Sequence, residues 1–209
     1  LEYTEYVVEN TIVALINKFI ENPLYFNNEK LLHYKFHDFL CNKTQFNIRW
    51  EYPTREFYTK KDGIPKVDRT SKYNGKFDIA LIDELEESIS FAFEFKLDVD
   101  NGEKKIDTDF FSKHTRNDYE KITNPKNQVM NGYMIYFIWS IIESRATKPL
   151  LERKIKHHKK NLDILWAYFE ACKINGNLKM ALVECNNIEG KKNSRIRTHP
   201  NGWINVELK

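Results

Sequence analysis

The sequence predicts an α/β domain with a mixed central sheet flanked by helices. Two observations carry that prediction. Short apolar runs, FDIALI (77–82), ISFAFEFKL (89–97) and GYMIYFIWS (132–140), have the character of central strands. Segments with helical spacing precede and separate them, at 3–21, from Asn27 or Asn28 to Cys41, and at 109–122. A length of 209 residues suits a single domain with a substantial core.

Each element has its own justification. Residues 3–21 carry apolar side chains nearly all round at helical spacing, which predicts a largely buried helix ending before Pro23. The next helix follows Asn27 or Asn28, either of which suits an N-cap. At about 100° per residue, Leu32, Phe36, Phe39 and Leu40 gather on one of its faces. Glu29 lies on the edge of that face, His33 and His37 drift outward, and Asp38 lies opposite. FNIRWEYPT (46–54) alternates like a strand that stops at Pro53. Residues 54–76 read as a long polar connection with turn signals at Asp62-Gly63 and Asn74-Gly75, and DELEES (83–88) as a hairpin turn. Residues 143–174 predict one long helix or two shorter ones interrupted near Pro149. KMALVEC (179–185) and GWINVEL (202–208) are late strands around a basic turn, EGKKNSRIRTHPN. The chain has no internal repeat.

Composition excludes several classes. No apolar run approaches the roughly 20 residues that cross a bilayer, and the first residues are acidic where a signal peptide is basic, so the expectation is a cytoplasmic protein without membrane contact. Cys41, Cys172 and Cys185 are far apart and lack CxxC spacing, which argues for reduced thiols. Residues 145–209 hold 14 Lys/Arg against 6 Asp/Glu, a net +8 within a chain of net +3. That polarity suits a surface for a polyanion, with an acidic, cation-binding site elsewhere, or a lysine-rich solvated surface.

The apolar runs carry charge where a buried strand should have none. In a strand with alternating side chains, Glu94 and Lys96 share one face while Phe93, Phe95 and Leu97 share the other. If this run pairs with FDIALI, Asp78 approaches Glu94 and Lys96 at one end of the sheet. Neighbouring buried carboxylates are unfavourable by several kcal/mol unless a cation or proton compensates them. Lys96 neutralising the acids at a sheet edge is one answer, and a divalent metal is the other. Carboxylate oxygens suit Mg²⁺, which keeps waters and binds substrate phosphates, while an ammonium group can position water or offset charge at phosphorus.

FDIALI, followed by Glu94-Phe95-Lys96 sixteen residues after Asp78, resembles the PD-(D/E)xK nuclease superfamily, which includes many type II restriction endonucleases and DNA repair nucleases. The resemblance spans about residues 29–139: a helix with an acidic residue, a strand, the Asp strand, the E-x-K strand, a helix and another apolar strand. It implies a restriction-endonuclease-like fold, Mg²⁺ (with Mn²⁺ able to take its place) held by Asp78 and Glu94, hydrolysis assisted by Lys96, and often a homodimer that cuts both DNA strands. Phe77 stands where the family name has proline. Glu29 is the candidate for the additional acidic residue of the first core helix, since its angular position meets the core face and that of Asp38 does not; Glu9 is its rival.

DNA contacts are expected from the basic C-terminal third: Arg153, Lys154, Lys156, Lys159 and Lys160 in RKIKHHKK, with His157 and His158 in the same run, and Lys191, Lys192, Arg195 and Arg197 in the late hairpin. Both groups also suit a solvated helix face and a polar turn. His33 and His37 lack the Glu of HExxH and a third ligand, and read as flanking surface histidines. Asn117 to Lys121, on the helix after the E-x-K strand, match substrate-contacting positions too loosely for a catalytic assignment. No Walker loop, GxSxG or Cys/His zinc pattern is present. The competing functional expectations are an inactive nuclease-like DNA-binding or assembly module, and a structure-specific repair or mobile-element nuclease.

Overall fold

A computed structural model describes residues 2–41, 47–57, 74–83, 88–100, 108–142, 147–171, 178–188 and 190–198. The chain order is α1 (Glu2–Glu21), α2 (Glu29–Cys41), β1 (Asn47–Phe57), β2 (Asn74–Asp83), β3 (Ser88–Asp100), α3 (Thr108–Thr123), β4 (Val129–Ile142), α4 (Lys148–Ala171), β5 (Leu178–Ile188) and β6 (Lys191–Thr198). Single 3-10 turns at Pro23–Tyr25 and Pro125–Asn127 follow α1 and α3. From α2 to β4 this is the predicted succession of helix, three strands, helix and strand. Among the described residues no helix is long and apolar enough to cross a membrane.

The six strands lie side by side in chain order. β1, β2 and β3 form an antiparallel meander, β3, β4 and β5 run parallel, and β6 returns antiparallel. Parallel neighbours need crossovers, and α3 and α4 supply them on the same face of the sheet. Ile122 of α3 and Leu162 and Leu165 of α4 pack there against Ala92, Met134, Tyr136 and Ile138. The opposite face is covered by α1 and α2, where Ile12, Leu15, Phe19, Leu32 and Phe36 meet Phe91, Phe93, Phe95, Tyr133 and Phe137. Phe36 lies 4.7 Å from Phe93 and 5.0 Å from Phe95 between ring centroids. Each such pair contributes about 0.5–1.5 kcal/mol beyond area burial, so α2 is firmly located over β3.

Several elements differ from the sequence reading. α1 buries one face only and leaves Tyr6 and Asn10 in solvent, because a single sheet cannot cover a helix all round. β1 continues through Pro53, which stands opposite Lys76; β1 is the sheet edge, where a missing N–H breaks no ladder. Of the two forms expected for α4 the single long helix is the one observed, with Pro149 in its first turn, where the absent donor is harmless. The predicted basic turn is largely strand β6, reached through Gly190 at φ 79°, the left-handed conformation of a tight hairpin. A lysine-rich strand is at home on a sheet edge, since charge discourages further pairing. Residues 84–87, where the β2–β3 turn was expected, the segment 202–208 and Cys172 lie outside the described residues; Cys41 is exposed and Cys185 buried, and neither is in a disulfide.

At Gly132 the Ile122 side chain of α3 lies directly against the backbone of β4. A Cβ there would lie 2.1 Å from Cγ2 of Ile122, a β-branched side chain with little rotamer freedom. Gly132→Ala is therefore expected to destabilise the fold by about 1–3 kcal/mol. The urea midpoint should fall at unchanged slope, and a neutral midpoint would show that α3 yields easily.

Candidate functional site

The meander parts at Asp78. The β2–β3 ladder ends with Ile79 opposite Phe93, so Asp78 lies just beyond it. On the other side Trp50 and Tyr52 face Ile79 and Phe77, with Glu51 between them at φ 44°. Alternation breaks here too: Phe77 packs under α3 and α4, whereas Ile79 and Leu81 pack under α1 and α2. The Asp78 carboxylate fills the gap by accepting the Phe95 N–H at 2.8 Å on Oδ2. A strand that turns over at one residue can thus present a carboxylate to both sides of the sheet.

Glu94 and Lys96 follow from β3 on the α3 face. Glu94 is 2% exposed, and its Oε1 lies 2.5 Å from Lys121 Nζ, off the hydrogen-bonding direction. Its Oε2 has no hydrogen-bond partner among the described residues. Lys96 Nζ sits 3.3 Å from Asp118 Oδ2 and 3.6 Å from Glu29 Oε1, so it links α3 to the start of α2. Lys121 also reaches Asp118 at 2.8 Å and donates to the Lys76 carbonyl at 2.9 Å. Asn127 fixes this end of α3: its Nδ2 donates to the Lys121 carbonyl and its Oδ1 accepts from Arg55 N.

The structure therefore brings Asp78, Glu94, Lys96 and Glu29 together. It adds Asp118, Lys121 and His33. His33 is buried and faces Asp78 instead of drifting to the surface, while His37 packs at a tilt against Trp50 with centroids 4.8 Å apart. The available signals were the i, i+4 spacing of Glu29 and His33, and the i, i+3 spacing of Asp118 and Lys121 on the helix after the E-x-K strand. Glu9 is elsewhere, paired with Lys179 and Tyr133.

Electrostatics follow from burial. Desolvation, then Asp118 alongside, push the Glu94 carboxyl well above its ordinary value. Burial opposes charge on Asp78 as well, but the His33 ring and Lys96 outweigh it and hold the carboxyl at about 2. Desolvation likewise works against the ammonium groups of Lys96 and Lys121, yet Asp118, Asp78 and Glu94 keep both above the usual lysine value. The lysines stay charged, and Glu94 is the group short of positive partners.

Ligand atoms of Glu29, His33 and Asp78 all lie within 4.8 Å of one another, an arrangement that a divalent cation can bridge. The four carboxyl groups of Glu29, Asp78, Glu94 and Asp118 outnumber the two lysines, and Glu94 Oε2 is an orphaned buried acceptor, so the donor set fits an added cation. Of the expected DNA-contacting residues, Arg153, Lys156, Lys159, Lys160, Lys191, Lys192 and Arg195 are exposed and Lys154 is half-buried. Arg197 is also half-buried, with its guanidinium 5.6 Å from the Trp166 ring centre. His158 does not belong to the exposed run: it is buried beside Ser140, with Nδ1 3.2 Å from Oγ. Comparisons with family models, curated proteins and solved structures find no match.

Two pH effects follow. A lowered Asp78 contributes stability above its unfolded value near 3.8 that is lost as pH falls toward 2, about 2 kcal/mol in all, and Asp78→Asn should flatten this acid limb in urea titrations. A raised Glu94 has the opposite sign: its contribution is present below 4.5 and lost as pH rises through the folded value. Glu94→Gln should then raise the metal-free melting temperature at neutral pH by roughly 2–4 °C; a fall would mean that Lys121 fully compensates the native carboxylate.

Proposed function

We propose that this chain is a metal-dependent endodeoxyribonuclease of the PD-(D/E)xK type. The observation that supports it most directly is the convergence of Asp78, Glu94 and Lys96 with Glu29 where β2 leaves β3, in a site whose acids exceed its bases. The cofactor in this reading is Mg²⁺ or Mn²⁺, held by Asp78 and Glu94 with Glu29 nearby. When bound, such an ion acidifies water and offsets phosphate charge. Lys96, kept protonated by its acidic neighbours, is unsuited to accept a proton; its ammonium orients the attacking water or faces charge developing at phosphorus. Asp118 is a positioning residue that bridges Lys96 and Lys121 through its two carboxylate oxygens.

DNA is the proposed partner, through the exposed lysines and arginines of α4 and the β6 edge, and a homodimer would give one site to each strand. A type II restriction activity is the specific form proposed. The second reading, an inactive nuclease-like binding module, draws on one observation: Lys121 already sits on Glu94 where a metal would compensate it.

Incubating supercoiled and linear DNA with Mg²⁺, Mn²⁺ or EDTA separates the readings. Metal-dependent cleavage is expected, reduced at least about 100-fold in Asp78→Asn and Lys96→Ala with DNA binding retained. Discrete fragments mark restriction, and cutting confined to branched or damaged DNA marks a structure-specific enzyme. Binding that weakens with salt but never yields cleavage supports the inactive module. Full activity in both variants would remove these assignments.

A further inference from the structure

His33 lies one helical turn after Glu29 and turns toward the sheet. Its ring packs against Phe95 with centroids 5.8 Å apart, and the residue is 9% exposed. Nε2 is a buried polar atom with no hydrogen-bond partner among the described residues. That atom stands 3.4 Å from Asp78 Oδ2, too far for a good N–H···O bond. Two ligands on one cation, each at about 2.1 Å in an octahedral shell, stand roughly 3 Å apart. The His33–Asp78 separation is near that value, and Glu29 completes a compact trio of donors. A buried ring nitrogen whose one close polar neighbour is a carboxylate at that distance is poorly satisfied, and a cation between the two would satisfy both.

We infer that His33 Nε2 is a direct ligand of the divalent cation, together with Glu29 and Asp78, and that this nitrogen makes the site prefer Mn²⁺ to Mg²⁺. The inference rests on the metal-dependent reading of the same site and deepens it. Mg²⁺ favours oxygen donors and retained water, whereas later first-row ions accept imidazole more readily. Coordination through Nε2 requires the ring proton on Nδ1. Glu94 meets Lys121 through Oε1, and its Oε2 stays available to the same cation.

The test is calorimetric titration of the full chain with Mn²⁺ and with Mg²⁺, joined to pulsed electron paramagnetic resonance of bound Mn²⁺. One Mn²⁺ per chain is expected, bound more tightly than Mg²⁺, with nitrogen modulation from an imidazole. His33→Ala should weaken Mn²⁺ at least about tenfold, affect Mg²⁺ much less, and abolish the modulation. Glu29→Gln, at a more exposed position, should weaken both ions and retain the nitrogen signal. If His33→Ala does not fold, loss of the nitrogen signal in His33→Gln decides. Mn²⁺ binding that survives both His33 variants but is lost in Asp78→Asn would overturn the role of His33 and leave the metal-dependent reading intact. Binding indifferent to Asp78→Asn, or no binding at all, would overturn both.

Discussion

Four carboxylates and two ammonium groups meet where the antiparallel meander parts, and the surrounding structure is arranged to hold them there. Glu94 is the most constrained: nearly sealed from water, beside Asp118, with Lys121 as its cation. Removing a charge from water is unfavourable by several kcal/mol, and only close opposite charge recovers it. Lys121 must therefore stay in place. Asn127 ties its carbonyl end of α3 to β1, and Gly132 lets that helix settle onto β4 without a side chain between them.

The two faces of the sheet contribute differently. Under α1 and α2, interleaved Phe, Tyr and Ile side chains form a close-packed layer that locks the position of β3 and of the first turn of α2. Under α3 and α4 the layer includes polar groups: the ionic site near one end, and His158 between Ser140 and Glu184 beneath α4. With Leu151, His158, Leu162 and Leu165 buried, α4 turns Arg153, Lys156, Lys159 and Lys160 outward. The basic character of that face is thus a by-product of which helix face fills the core.

The same arrangement links stability to the proposed chemistry. A site with more acids than bases is unfavourable when empty and favourable around a cation, so the proposed metal would stabilise the fold on binding. Lys96 has a different part. Its carboxylate neighbours keep it charged and aimed between α2 and α3, which suits an electrostatic donor and not a base.

Much of the architecture was legible along the chain. Apolar runs with even spacing fixed β2, β3 and β4, helical periodicity fixed α1, α2 and α3, and the shared face of Glu94 and Lys96 followed from strand alternation alone. Asp78 near them was deducible from adjacent strands. Sheet-edge effects were not: Pro53 within β1 and the lysine-rich β6 violate local strand preference and are tolerated because an edge has one free side. Nor could periodicity reveal that alternation breaks at Asp78. His33, Asp118 and Lys121 required the tertiary structure as well. Whether a polar residue on a helix flank meets solvent or a charged strand end depends on how that helix is rotated over the sheet, and Phe36 and Ile122 set that rotation through contacts distant in sequence.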